Sequence, residues 1–119
     1  MTGNQANVFV SLRYVQDEYE CFSDWEKVEM KNFWNFLRKV HDYTWQQVYN
    51  QAGKRNKSGL AYTPLDRGLF KFSSFLENLS EDVQIFELRV SGKIRVHGFR
   101  VKSVFYICWL DREHRITGN

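Results

Sequence analysis

The sequence predicts an α+β fold, with two N-terminal helices packed on an antiparallel β-sheet. Three observations support this prediction. Two segments in the first half of the chain show the apolar spacing of amphipathic helices, and each follows a helix-capping pattern. In the last third, two segments carry apolar residues at or near every second position, and a third, at 104–110, is rich in aromatic residues, as strands are. Only short turn-forming sequences separate these three segments, which is typical of antiparallel hairpins.

The chain begins with a predicted strand that leads into a predicted helix. Apolar and other side chains alternate over residues 8–14, which indicates the strand. The first helix is predicted over 24–41, behind a capping box formed by Ser23 and Glu26. The apolar face of this helix has helical spacing and consists of Met30, Phe33, Trp34 and Leu37.

A second helix is predicted over residues 44–52. Thr44 and Gln47 have the spacing of another capping box, in which each side chain satisfies a backbone amide of the first turn. Gly53 suits the C-terminal stop, because glycine adopts the left-handed conformation that often ends a helix.

The middle of the chain carries weaker signals. Residues 54–59, KRNKSG, form a basic loop. The sequence Thr-Pro-Leu-Asp at 63–66 suits the start of another helical turn, since proline is favoured at the first helical position. Residues 67–81 have apolar spacing that also suits a short helix.

The last part of the chain is predicted to form a three-stranded meander. The strands are predicted over 83–91, 94–101 and 104–110, with turns at Ser91-Gly92 and Lys102-Ser103. The complete order of elements is therefore β-α-α-(α)-β-β-β. One face of such a sheet packs on the helices, and the other face is free to meet water.

Length and composition indicate one domain over residues 1–119, with residues 1–7 frayed. We expect a cytoplasmic protein, because no apolar run has the length of a membrane span and no signal-peptide pattern is present. Cys21 and Cys108 are expected to stay reduced. The spacing of Cys and His residues suggests no zinc site, and we expect neither a metal nor a cofactor.

Positive charge is concentrated in the second half of the chain. Residues 1–53 contain five Lys or Arg and seven Asp or Glu, whereas residues 54–119 contain twelve and seven. A basic half of this kind indicates a polyanionic partner, most simply a nucleic acid. An ordinary solvated surface is the alternative. The cations expected to contact phosphates are Lys54, Arg55, Lys57, Lys93, Arg100 and Arg115.

Arg95 and His97 are the central pair of a possible catalytic site. They are two residues apart in a predicted strand, so both side chains point to one face, while Ile94 and Val96 point towards the helices. Cleavage of RNA without a metal needs a base, an acid and a cation that stabilises the transition state. Histidine can transfer protons near neutral pH, and arginine stabilises charge. The alternative is structural, with Arg95 paired to Glu87 and His97 hydrogen-bonded locally.

The C-terminal part of the sequence resembles the RelE/ParE toxin superfamily. The tract ELRVSGKIRVHGFR is similar to the RelE pattern of a strand carrying Leu88-Arg89, a small-residue turn and a strand with the central Arg95. The tract VFYICWLDREHR resembles the last strand of that family and the cluster behind it. The order of elements is also that of the family over nearly the whole chain.

This resemblance implies a RelE-like toxin of a toxin–antitoxin system. Such proteins are endoribonucleases that cut mRNA, commonly on the ribosome, and a partner antitoxin usually inhibits them. The positions that match the catalytic group of the family are Arg89, Arg95, Arg112, His114 and Arg115. His97 and His114 would be the groups that transfer protons. For His114, a structural contact with Asp111 is an alternative.

A non-enzymatic role on the same fold is the second hypothesis. The chain lacks the tyrosine and the final helix expected after the last strand, and Asp111 and Glu113 add acid to a cluster that is otherwise basic. The alternative is a protein that binds nucleic acid or protein, such as a ParE-like gyrase inhibitor or a protein of a phage or mobile element. Cleavage that depends on Arg95 and His97 would separate the two hypotheses.

Overall fold

A computed structural model describes residues 3–20, 22–51 and 59–117. The described chain forms two helices, five strands and three short 3₁₀ turns. The helices are α1 (Lys27–His41) and α2 (Trp45–Tyr49). The strands are β1 (Phe9–Ser11), β2 (Thr63–Leu65), β3 (Ile85–Ser91), β4 (Ile94–Val101) and β5 (Val104–Asp111). The 3₁₀ turns are Phe22–Asp24, Arg67–Phe70 and Phe75–Asn78.

The five strands form one mixed sheet in the order β1-β5-β4-β3-β2. The predicted meander of β3, β4 and β5 is antiparallel, as expected, and the α+β class with two helices is confirmed. The fully antiparallel sheet is wrong, because β1 pairs with β5 in parallel. The connection between β1 and β5 contains the two helices and the other three strands, so it is long enough for the crossover that a parallel pair requires.

A strand at 63–65 replaces the helical turn predicted at 63–66. This strand, β2, pairs antiparallel with β3 and places Pro64 opposite Phe86. Proline is tolerated here because β2 is an edge strand, where one side needs no ladder hydrogen bond. Residues 67–81 form two 3₁₀ turns in place of the short helix.

Each helix begins where side chains cap the backbone amides of its first turn. α1 begins at Lys27, because Glu26 and Glu29 form its capping box in place of the predicted Ser23 and Glu26. The cap of α2 is confirmed, since the Thr44 hydroxyl accepts a hydrogen bond from the Gln47 amide. α2 ends at Tyr49, and the predicted stop at Gly53 lies outside the described residues. Neither helix of the described chain is long and apolar enough to span a membrane.

Other parts of the chain pack against both faces of the sheet. On one face, Val96 and its neighbours pack against α1 and α2, as the alternation of β4 predicts. The opposite face was expected to be open to water, but residues from the two 3₁₀ turns after β2 pack on it. Phe70 lies there, with its ring centroid 4.5 Å from that of Trp109. Arg95 and His97, which point to this face from β4, are therefore buried.

A bulge in β5 changes which of its residues point to the face that is covered by the 3₁₀ turns. The register passes from His97 opposite Trp109 directly to Gly98 opposite Ile107, so Cys108 is the extra residue. As a result, Cys108 and Trp109 both lie in the cluster around Phe70. Burial raises the pKa of the free Cys108 thiol to about 12, so it remains protonated at neutral pH. Cys21 lies outside the described residues.

The N-terminal segment is anchored to α2 and β4, whereas residues 1–7 were predicted to fray. Backbone amides at the start of α2 donate to the carbonyls of Ala6 and Asn4. The Arg100 guanidinium donates to Asn4 Oδ1 at 2.8 Å and to the Gly3 carbonyl at 3.0 Å. These contacts hold the described part of the segment, residues 3–7, on the domain.

Candidate functional site

The pairing of β3 with β4 brings together four ionisable side chains. Glu87 lies directly opposite His97, and Arg89 lies opposite Arg95. Positions that differ by two residues share a face of a strand, so all four belong to the face that is covered by the 3₁₀ turns. Three residues predicted to be catalytic are therefore neighbours: Arg89, Arg95 and His97.

Glu87 is the centre of this group and is only 5% exposed. Its Oε1 lies 3.0 Å from His97 Nε2, and its Oε2 lies 3.7 Å from Arg95 Nε. These two contacts match the structural alternative for Arg95 and His97. Arg95 is 8% exposed, and its Nη1 also donates to the Gly92 carbonyl at 2.6 Å. The expected exposure of this pair is therefore wrong, although their common face is correct.

The chain after β5 turns back and adds two more side chains to the group. Buried Asp111 directs this turn, because its carboxylate accepts hydrogen bonds from the amides of Arg115 at 2.9 Å and Ile116 at 2.8 Å. His114 has a φ of +57°, which is uncommon for a residue with a side chain. The turn places His114 Nε2 at 3.6 Å from Glu87 Oε1. Asp111 therefore accepts hydrogen bonds from these backbone amides in place of the predicted contact with His114.

Thr117 completes the group. Its hydroxyl lies 2.5 Å from Glu87 Oε1 and 2.9 Å from His114 Nε2, so it bridges the carboxylate and the imidazole. We call Glu87, Arg95, His97, His114 and Thr117 the Glu87 cluster. It combines one carboxylate, two imidazoles, one guanidinium and one hydroxyl in a largely buried position.

The surroundings shift the pKa values of three of these groups, including Arg95, whose pKa is lowered by burial. Burial raises the pKa of Glu87, but hydrogen bonds from His97 and Thr117 and the charges of the two histidines outweigh it, so the pKa is lowered overall. Burial lowers the pKa of His114, and the nearby charge of Arg95 lowers it further. At neutral pH the cluster therefore holds an ionised carboxylate beside a largely neutral imidazole of His114.

A cavity of about 550 Å³ gives access to one side of the Glu87 cluster. Its polar wall contains Glu87, His114, Thr117 and the guanidinium-bearing Arg115. The opposite wall is formed by β2 and the first 3₁₀ turn behind it, with Thr63, Leu65 and Leu69. Arg95 and His97 lie behind Glu87 and do not line this cavity. A molecule in the cavity can therefore reach an acid–base pair and one exposed cation.

A second cavity, of about 470 Å³, lies on the same face of the sheet. Aromatic rings, including those of Tyr14, Phe99 and Tyr106, form much of its wall. Carboxylate, imidazole and cationic side chains do not line it. Of these two cavities, the one beside Glu87 therefore holds the ionisable side chains.

Like Arg95, the predicted catalytic residues Arg89 and Arg112 lie outside the cavity wall. Arg112 is held by acids near the start of α1, with its Nε 3.7 Å from Glu20 and its Nη1 3.7 Å from Glu29. Arg89 is closer to the cluster, and its Nη1 donates to the Gly59 carbonyl at 3.3 Å. The structure thus brings Arg89 near the Glu87 cluster, and it places Arg112 in an ion-pair group around Glu20, which Arg115 also joins at 3.5 Å.

The cations predicted to contact nucleic acid are dispersed. Arg115 lines the cavity, and Lys93 is exposed at the turn between β3 and β4. Arg100 is occupied by the N-terminal segment, and its guanidinium also lies 4.4 Å from the centroid of the Trp45 ring. The three cations of the basic loop, Lys54, Arg55 and Lys57, lie outside the described residues.

Sequence reasoning gave little weight to Glu87 and did not consider Thr117. A signal for Glu87 was present, because it is the sole acid between Asp82 and Asp111 and lies in a strand. A lone carboxylate among inward-facing residues needs charged or hydrogen-bonding partners. Thr117 had no comparable signal, since its position depends on the turn that Asp111 organises.

Independent comparisons add no family to this description. The chain matches no protein-family model, no curated protein and no solved structure.

Proposed function

We propose that the protein is a metal-independent endoribonuclease, a RelE-like toxin that acts on mRNA, with its active site at the Glu87 cluster. The observation that carries this proposal is the meeting of a carboxylate, an imidazole and a cation in the wall of an open cavity. These groups are Glu87, His114 and Arg115. They supply the base, the acid and the phosphate contact that cleavage of RNA by its own 2′-hydroxyl requires.

In this mechanism, Glu87 takes the proton from the ribose 2′-hydroxyl. The 2′-oxygen then attacks the adjacent phosphorus, and the bond from phosphorus to the 5′-oxygen breaks. Protonated His114 donates a proton to the departing 5′-oxygen. The products are a 2′,3′-cyclic phosphate and a 5′-hydroxyl, so no water, metal or other reactant enters the step.

The arginines have two different roles in the proposal. Arg115 lines the cavity with a side chain that is 58% exposed, and its guanidinium pairs with Glu20 at 3.5 Å and with Glu113 at 3.7 Å. In the proposal it exchanges these partners for a phosphate oxygen. Arg95 is buried behind Glu87 and acts as a positioning residue that holds the carboxylate. His97 has the same kind of role, because its Nε2 contacts Glu87 from within the core.

The active form needs Glu87 ionised and His114 protonated, which sets the pH dependence. The surroundings lower both pKa values, below the ordinary 4.5 for the carboxyl and 6.5 for the imidazole. We therefore expect kcat/KM for RNA cleavage to be highest on the acid side of neutral and to fall as pH rises towards 6.5. An alkaline limb centred well above pH 6.5 would contradict this assignment of the acid.

The direct test is cleavage of RNA by purified protein, with and without ribosomes. His114→Ala should lower the rate by roughly 10²–10⁴-fold, because a positioned proton donor is lost. His41→Ala is the matched control, since His41 lies at the end of α1, where its Nε2 accepts a hydrogen bond from the Val10 amide. Equal rates for wild type and His114→Ala would place the chemistry elsewhere.

A non-enzymatic role is the second candidate, and the burial of the Glu87 cluster favours it. Arg95 and His97 satisfy Glu87 as structural partners would, without any substrate. RNA that binds strongly at low salt and weakly at high salt, but stays intact, would support a binding module over an enzyme. Ribosome-associated mRNA, gyrase and a cognate antitoxin remain predicted partners, and copurification would identify them.

A further inference from the structure

The hydroxyl of Thr117 lies between the two groups that the proposed mechanism uses for proton transfer. It donates to Glu87 Oε1 at 2.5 Å and lies 2.9 Å from His114 Nε2. We infer that this hydroxyl occupies the subsite of the attacking 2′-hydroxyl, so that the resting protein is blocked by its own chain and a ribose must displace Thr117. This inference rests on the proposed function, because it assigns the position of the substrate within the same site.

The chemistry of the contact supports this assignment. A hydroxyl that a base will deprotonate must donate its hydrogen bond to that base, as Thr117 does to Glu87. Deoxyribose has no hydroxyl to offer at this position. A deoxyribose that displaced Thr117 would leave a charged acceptor without its donor, which is costly when the carboxylate is buried. The subsite therefore selects ribose over deoxyribose.

The local backbone allows Thr117 to move without unfolding the turn. The hydrogen bonds to Asp111 hold Arg115 and Ile116, which precede Thr117. The side chain of Thr117 is half-buried and lies in the wall of the cavity. A ligand that enters the cavity can thus replace one side chain while the Asp111 turn stays in place.

A structural role for Thr117 makes the opposite prediction. If the hydroxyl only holds Glu87 in position, its removal should weaken every ligand of the site or leave affinity unchanged. If it competes with the ribose hydroxyl, its removal should strengthen the binding of any ligand that displaces it, and a ribose ligand should bind more tightly than its deoxy analogue. Thr117→Val separates these cases, because valine keeps the shape of threonine and removes the hydroxyl.

The experiment is calorimetric titration with a ribonucleoside 3′-monophosphate and, in parallel, with its 2′-deoxy analogue. We expect Thr117→Val to bind the ribose compound about tenfold more tightly than wild type, since one hydrogen bond to a charged group no longer has to be displaced. The deoxy compound should gain similarly, because the same bond no longer has to be broken, but it should remain the weaker ligand of both proteins. Thr117→Ser, which keeps a hydroxyl, should show no gain with either ligand.

The outcomes separate this inference from the proposed function. Equal or weaker binding of the ribose compound by Thr117→Val overturns the inference, even if wild type cleaves RNA. Equal affinities for the ribose and deoxy compounds also overturn it, because the subsite would then not recognise the hydroxyl. Tighter binding of the ribose compound together with a gain in Thr117→Val, in a protein that leaves RNA intact, supports the subsite and rejects the nuclease.

Discussion

Gly98→Ala should destabilise the domain by more than about 3 kcal/mol, enough to lower the melting temperature by more than about 10 °C. A Cβ at this position would lie 1.9 Å from the carbonyl oxygen of Tyr106 in the neighbouring strand, and 2.9 Å from an atom of the Phe105 ring. The first obstacle is backbone within the sheet, so it can be relieved only by separating β4 from β5 beside the bulge. Thermal or denaturant unfolding measures the effect.

Gly68→Ala is the matched control for this substitution. The nearest atom to a Cβ there is the Asp66 carboxylate oxygen at 3.3 Å, and it belongs to a side chain that can shift by a few tenths of an ångström. We expect a change below about 1 kcal/mol, as for most substitutions away from a tightly packed position. Similar melting temperatures for both variants would mean that β4 and β5 are not as close at Gly98 as the structure places them.

Glu87→Gln should remove RNA cleavage and also weaken the fold. The amide cannot accept the proton of the attacking hydroxyl, which should reduce the rate by roughly 10²–10⁴-fold. It also leaves the buried guanidinium of Arg95 without its anionic partner at 3.7 Å. Loss of one partner of a buried ion pair typically costs about 3–5 kcal/mol. Activity should therefore be measured at a temperature at which the variant is shown to be folded.

The pH dependence of stability identifies the carboxylate as the cause. The pKa of Glu87 is lowered in the folded protein, so its ionised form stabilises the fold above pH 4.5, and this contribution disappears as pH falls through the folded pKa. The difference in unfolding free energy between wild type and Glu87→Gln should shrink accordingly below pH 4.5. Glu77→Gln, at an exposed position, provides the control. A difference that is constant from pH 7 to pH 3 would exclude a role for the charge.

Local patterns were sufficient to predict several elements. β4 has the predicted limits of 94–101, because alternating residues between two turns define both its ends and its faces. The cap of α2 was predictable for the same reason, since Thr44 and Gln47 are three residues apart. The pairing of β1 with β5 was not predictable in this way. It depends on contacts between distant parts of the chain, which a local pattern does not encode.

The candidate site was predictable only as far as strand geometry determines it. The spacing of Arg95 and His97 correctly predicted that they share a face. Alternation does not reveal what covers that face, and the 3₁₀ turns that cover it lack a regular period. The position of His114 beside Glu87 depends on a positive φ and on the turn organised by Asp111. These are tertiary features, which no spacing of residues in the sequence reveals.

The parallel pairing of β1 with β5 has a consequence for synthesis of the protein on the ribosome. Phe9 pairs with Val104, so β1 has no partner strand until nearly all of the described chain has been synthesised. Strands this distant in sequence pair slowly, because the long loop between them must close, at a cost in chain entropy, before any stabilising contact forms. The Glu87 cluster is completed later still, by His114 and Thr117. The nascent chain therefore lacks the proposed active site until after release of these residues from the exit tunnel.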